Sequence, residues 1–189
     1  MCISGFLQDE RRCHGILKLS EKLHQAGFNR HASRVWYRPW NSDWADVAEH
    51  IWNIGEHYNA EVLVNVYAYS YGVGWGAVRF AAELKKRGLA VQHLVACDGV
   101  YRHPNPLLRW TSLLQRDADL APAIKVPSNV AFVHPYHQTV NTPQGHRLVS
   151  EEACGQQILE SIELQATHQY MDDADEFHTT CLRVARNVA

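Results

Sequence analysis

Clustered positive charge is missing from this chain. Its 18 Lys and Arg and 20 Asp and Glu leave a formal net charge of −2 over 189 residues, with the histidines neutral. Nucleic acid and anionic membrane surfaces are bound by concentrated cations, so neither partner is expected. Cysteine is sparse: Cys2, Cys13, Cys97, Cys154 and Cys181 are scattered, odd in number and include no C-x-x-C motif. That pattern points away from a disulfide framework and from a cysteine-rich zinc site. Long apolar runs are absent too, so no segment is expected to span a bilayer. The opening MCISGFLQDERR lacks the basic leader and apolar stretch of a secretory signal, which makes the cytoplasm the expected compartment. Internal repeats, low-complexity tracts and linkers are likewise missing. One domain over residues 1–189 is expected, long enough to bury a substantial core.

What is present is a recurring alternation. The chain is 46% hydrophobic and 20% charged, the balance of an ordinary globule. Apolar, β-branched runs alternate with stretches of helical period. Strands are expected at residues 2–6, 34–37, 61–68, 90–97 and 129–133. Helices are expected at 14–26, with Ile16, Leu19, Leu23 and Ala26 on one face, and after a turn at Pro39, capped by Asn41 or Ser42. That second helix buries Trp44, Val47, Ile51 and Ile54. Two more are expected at 72–87 and 173–187, each with cations in its last turns to match the dipole. Strand–helix alternation of this kind argues for an α/β domain: a three-layer, doubly wound, mainly parallel five-stranded sheet.

Between the most apolar strand and the third helix lies Ala68-Tyr69-Ser70-Tyr71-Gly72. An abrupt strand-to-helix turn strains its central residue and lifts that side chain clear of the sheet. Backbones approach closely there, so small residues are needed two positions either side; Ala68 and Gly72 meet the need, and Gly74 and Gly76 extend it. The helix N-terminus aims free N–H groups at the Ser70 hydroxyl. A phosphate-binding loop does not fit, because YSYGVGWG lacks both the dinucleotide spacing and the lysine. A serine in an ordinary strand–helix loop is the plainer alternative, but the position after a buried strand and before a helix favours the exposed-serine turn.

The AYSYG segment resembles the Gly-x-Ser-x-Gly nucleophile elbow of the α/β-hydrolase superfamily, with alanine for the first glycine. The resemblance implies a minimal, cutinase-sized α/β-hydrolase fold and a serine esterase with Ser70 as nucleophile. Its chain order of serine, acid, histidine selects His168, just before the final helix, as the base. No carboxylate follows the fifth strand in HPYHQTVNTPQGH, so Asp98, at the end of the fourth, is the implied acid, as in pancreatic-type lipases. Capping of the next turn is the alternative role for Asp98. The loop Ile3-Ser4-Gly5-Phe6-Leu7-Gln8 resembles the family's oxyanion loop; the backbone N–H groups of Tyr71 and of Phe6 or Leu7 would form the hole.

Tyr69, Trp75 and Trp110 are candidates to line a substrate pocket, although helix packing asks for the same residues. Residues 101–127 form a long connection that can act as a lid or simply cover the sheet. Twelve histidines are many for this length, and His134, His137 and His146 lie near one another. With no carboxylate among them and no helical His-x-x-x-His pair, no metal site is expected. The expected partner is a small-molecule or lipid-like ester, with no cofactor. A thioesterase or amidase on the same residues, or a silent binding module of the same fold, stays open, as does the oligomeric state.

Overall fold

The computed structural model describes residues 1–28, 33–109, 122–152 and 155–186. Side-chain alternation along its strands decides which helices each sheet face carries. In β3 (Val64–Tyr69), Val64, Val66 and Ala68 point to one core, while Tyr67 and Tyr69 point to the other. In β4 (Val91–Cys97), Leu94 and Ala96 join the first core, Val95 and Cys97 the second. The β3–β4 register shifts between Val64 and Asn65, so Val91 also faces the first core although it lies an odd number of residues from Leu94. Near-continuous apolar strands of this kind are what a parallel sheet buried on both faces requires.

Among the described residues the main sheet has seven strands, ordered β2-β1-β3-β4-β6-β8 with β9 also on β6, and every pairing is parallel. Its remaining strands are β1 (Cys2–Ser4), β2 (Tyr37–Pro39), β6 (Val130–His137), β8 (Gln157–Ile158) and β9 (Ile162–Glu163). A separate two-stranded parallel sheet joins β5 (Ile124–Val126) to β7 (Leu148–Ser150). Helices α2 (Trp44–Tyr58) and α3 (Val78–Lys86) cover one face; α1 (Gly15–Gln25) and α4 (Asp175–Arg186) cover the other. The result is a mixed α/β fold in three layers. None of the helices among the described residues is long and apolar enough to cross a membrane.

Several expected boundaries move, each for a local reason. The strand expected at 34–37 forms at Tyr37–Pro39 instead, because Cys2, Ile3 and Ser4 pair with Tyr37, Arg38 and Pro39. Pro39 tolerates this position because β2 is an edge strand. Neither Asn41 nor Ser42 caps α2: Asp43 accepts from the amides of Ala45 and Asp46, while the Ser42 hydroxyl donates to the Pro39 carbonyl. The helix expected at 72–87 opens as a π-helical stretch, Gly72–Ala77, before α3. Among the described residues the five expected strands become nine; the added β5, β7, β8 and β9 are two or three residues long. Of the long 101–127 connection, β5 is part of the core, with Ile124 and Val126 buried, so that end is not a lid. The middle of it, including Trp110, lies outside the described residues.

Candidate active site

The strand order reverses direction between β1 and β3: the chain builds outward to β2 on one side and to β4, β6 and β8 on the other. Such a switch point opens a crevice at the carboxyl ends of the strands, where open α/β sheets bind ligands. Ser70 follows β3 at that end, Gly5 follows β1, Asp98 follows β4, and Gln138 follows β6.

Ser70 is held in the left-handed region at φ 55°. A non-glycine residue there costs on the order of 1–3 kcal/mol and persists only where neighbours over-determine it. They do so here. The Ser70 amide donates to the Cys97 carbonyl at 3.0 Å, and its own carbonyl accepts from the amides of Val73, Gly74 and Val100. Room for the turn comes from missing side chains. A Cβ on Gly72 would lie 2.5 Å from the Ile3 carbonyl oxygen, and one on Gly74 would lie 1.9 Å from that of Val100.

The three implied residues come together across 98 and 70 positions of sequence. Ser70 Oγ is 3.0 Å from His168 Nε2, and His168 Nδ1 is 2.5 Å from Asp98 Oδ2. With Nδ1–H donating to the carboxylate, Nε2 is left as the acceptor for the serine hydroxyl. All three are buried, Asp98 completely. A carboxylate without water needs donors on its remaining lone pairs. Gln138 supplies them, its backbone N–H reaching Oδ1 at 3.3 Å and its Nε2 reaching Oδ2 at 3.2 Å. Asp98 also takes a left-handed φ of 44°, and Gly145 packs so close that a Cβ there would meet Asp98 Oδ1 at 2.5 Å.

His168 begins a 3-10 turn, His168–Asp173, that leads into α4. Its amide donates to Asn141 Oδ1 at 2.7 Å, and its carbonyl accepts from the Tyr69 hydroxyl at 2.6 Å. The Tyr69 ring lies 5.1 Å from the imidazole and is buried, and desolvation pushes its phenol pKa far up. Tyr69 therefore braces the histidine from behind rather than lining an open pocket.

The loop after β1 carries the other candidate donors. Phe6 and Leu7 are exposed, 52% and 73%, and Leu7 sits at φ 64°. Gln8 fixes this loop. Its Oε1 accepts from the Gly5 amide at 2.9 Å, its Nε2 donates to Asp172 Oδ2 at 2.9 Å, and its carbonyl accepts from Ser4 Oγ. Asp172 is buried and also accepts from the Ile16 amide at 3.0 Å, so it stands at the otherwise acid-free N-terminus of α1. One carboxylate thus links the loop after β1, the start of α1 and the turn that carries His168. Tyr71 opens the helical stretch after Ser70, so its N–H has no acceptor within that helix.

An aromatic group sits on the β1–β2 side of Ser70. Phe6, Trp40 and Tyr71 lie within 5.5–6.1 Å of one another, centroid to centroid. Trp75 is half-buried and carries Arg79 on its ring at 3.5 Å. The other histidines do different work. His146 is buried, its amide donating to the Gly99 carbonyl and its Nδ1 accepting from the Tyr101 amide. His134 pairs with His93 within the sheet at 3.0 Å, and His137 bonds Ser161. His178, inside α4, reaches the Asp172 carbonyl at 2.7 Å. No group of three or more His, Cys, Asp or Glu among the described residues could hold a metal ion.

Gln138, Asn141, Gln8 and Asp172 are supporting residues that the sequence reading passes over. Position at a strand's carboxyl end singles out Gln138 once β6 is extended to His137; nothing local marks the other three. No family model, curated protein or solved structure matches the chain.

Proposed function

We propose that this chain is a serine hydrolase of the α/β-hydrolase type, cleaving an ester by acyl transfer to Ser70 and then to water. The observation that carries the reading is the continuous Ser70–His168–Asp98 hydrogen-bond chain, buried at the sheet's switch point, with its serine on a strained strand-to-helix turn. A serine hydroxyl is a weak nucleophile until a positioned base removes its proton, and the base needs a group to orient it.

In the proposed reaction Ser70 Oγ bonds to the substrate carbonyl carbon while its proton passes to His168 Nε2. Asp98 holds the imidazole and stabilises the imidazolium. The carbonyl electrons move onto oxygen, where the Tyr71 N–H and the N–H of Phe6 or Leu7 meet the charge. Collapse breaks the bond to the alcohol oxygen, which leaves with the proton from His168. Water then attacks the acyl-enzyme, with His168 again as base, releasing the acid and restoring Ser70. No step calls on a cofactor. The substrate class is a small or lipid-like ester.

Incubation with a fluorophosphonate followed by intact-mass analysis tests this. Wild type is expected to gain one adduct, Ser70→Ala none, and His168→Ala far less at equal time. Folded wild-type protein that gains no adduct, with detergent present or absent, would sink the proposal in favour of a silent binding module.

A further inference from the structure

Beyond the three central residues, the side of the crevice away from His168 carries charge that the ester reaction does not use. The Arg102 guanidinium lies 4.6 Å from the Trp40 ring centroid and 4.5 Å from that of Trp75, while Arg79 sits on Trp75 at 3.5 Å. Trp40 in turn packs on Tyr71, the residue after Ser70, at 5.5 Å. A guanidinium stacked on ring faces keeps its in-plane N–H edge for an acceptor. Among the described residues no carboxylate or other acceptor bonds to Arg102 or Arg79, and neither forms an ion pair. Arg102 is half-buried, and its pKa is lowered first by that burial and next by the Arg109 and Arg79 charges around it. Like charges gathered with no counter-ion among the described residues are stabilised by an anion that arrives from outside.

Direction follows from the strand order. Asp98 and Gln138 follow β4 and β6, and they hold His168 on that side of Ser70. Phe6 and Trp40 follow β1 and β2 on the opposite side. The leaving alcohol takes its proton from His168 and departs on the β4–β6 side, so the acyl chain extends toward Phe6, Trp40 and Arg102.

Resting on the hydrolase reading above, we infer that the preferred substrate is an ester whose acyl group ends in a carboxylate, held by the edge of Arg102 between Trp40 and Trp75. The carboxylate is a spectator in the reaction; it adds two acceptor oxygens that match the guanidinium fork.

Mono-4-nitrophenyl adipate and 4-nitrophenyl hexanoate have acyl chains of equal length and differ in the terminal carboxylate. The kcat/KM ratio of adipate to hexanoate, each corrected for uncatalysed hydrolysis, cancels general losses of activity. Wild type is expected to favour adipate by about tenfold or more at low salt. Arg102→Gln should bring the ratio near unity, and added salt should shrink it in wild type. Arg87→Gln, on the far end of α3, should leave the ratio alone. Equal kcat/KM for both esters in a wild type that still labels at Ser70 overturns the anion site and leaves the hydrolase standing. So does an Arg102→Gln variant that slows both esters alike, which marks Arg102 as a brace for its loop. Absence of both Ser70 labelling and hydrolysis would take down the two readings together.

Discussion

Asp98 is the residue on which chemistry and backbone make opposite demands. Its carboxylate is fully buried, and its φ of 44° is one that few side chains accept. Asn is among the residues that tolerate this region, and an amide oxygen can still accept from Gln138. Asp98→Asn is therefore expected to keep the fold, with a thermal midpoint within a few degrees of wild type. Its amide, however, offers N–H where His168 Nδ1–H needs an acceptor, which favours the wrong tautomer. Ester hydrolysis should fall by about 10⁴, as in other serine–histidine–aspartate sites. A fall of less than about tenfold, measured on the same 4-nitrophenyl ester, would show that Asp98 is a turn cap and not the acid. Ser70, Asp98 and His168 were legible as neighbours through the resemblance of AYSYG to a nucleophile elbow, which implies the chain order and the element ends at which the other two sit. Gln138, Asn141 and Gln8 were not: an uncharged amide in a loop carries no periodic or chemical mark, and its role exists only through partners 40, 27 and 164 residues away.

At the scale of elements, the long apolar runs of β3, β4 and β6 were readable, and each of the five expected strands has a counterpart, that of 34–37 overlapping at Tyr37 alone. The rest depended on partners. β8 and β9 are two residues each and are strands only because β6 offers its free edge to both, β8 at Phe132 and Val133 and β9 at the extension to Tyr136 and His137. The π-helical stretch was hidden because Gly72, Gly74 and Gly76 answer to β1 and to Val100, not to their own helix. The same β4–β6 pairing carries a pH dependence. His93 and His134 share a hydrogen bond between adjacent strands, and burial, then the His93 charge and Arg183, lower the His134 pKa to about 4. In the unfolded chain the value returns to about 6.5. Between those two pH values the unfolded state binds a proton that the folded state does not, so folding stability falls as pH drops from about 6.5 to 4. Urea unfolding across that range should show the fall, and His134→Gln, uncharged throughout, should flatten it. An identical slope in both proteins would assign the acid loss to other groups, His93 and His178, whose pKa burial also lowers, first among them.

Taken as one molecule, the sheet is a partition as well as a platform. The core under α2 and α3 and the core under α1 and α4 share no buried side chain, and β3 and β4 serve both only by alternation. Each core also supports a different part of the candidate site. Val73 and Ile124 pack beneath the Ser70 turn and Gly99, whereas Tyr69 and Phe177 share a core with Met171 of the turn that carries His168. The geometry between serine and imidazole is thus set across the partition, by the position of one core relative to the other. Ile16 and Ile124 are both buried, 0% and 1% exposed, on opposite faces. Ile16→Val and Ile124→Val should each cost about 0.5–1.5 kcal/mol, the usual range for one lost methylene in a close-packed core. Residues without shared partners act independently, so the double variant should equal their sum within about 0.5 kcal/mol by urea unfolding. A larger interaction energy would mean that the strands transmit repacking from face to face. In that case, a substitution under α1 would move the serine as readily as the histidine. Additivity instead implies that fluorophosphonate labelling responds to each core separately, through whichever of the two residues that core holds.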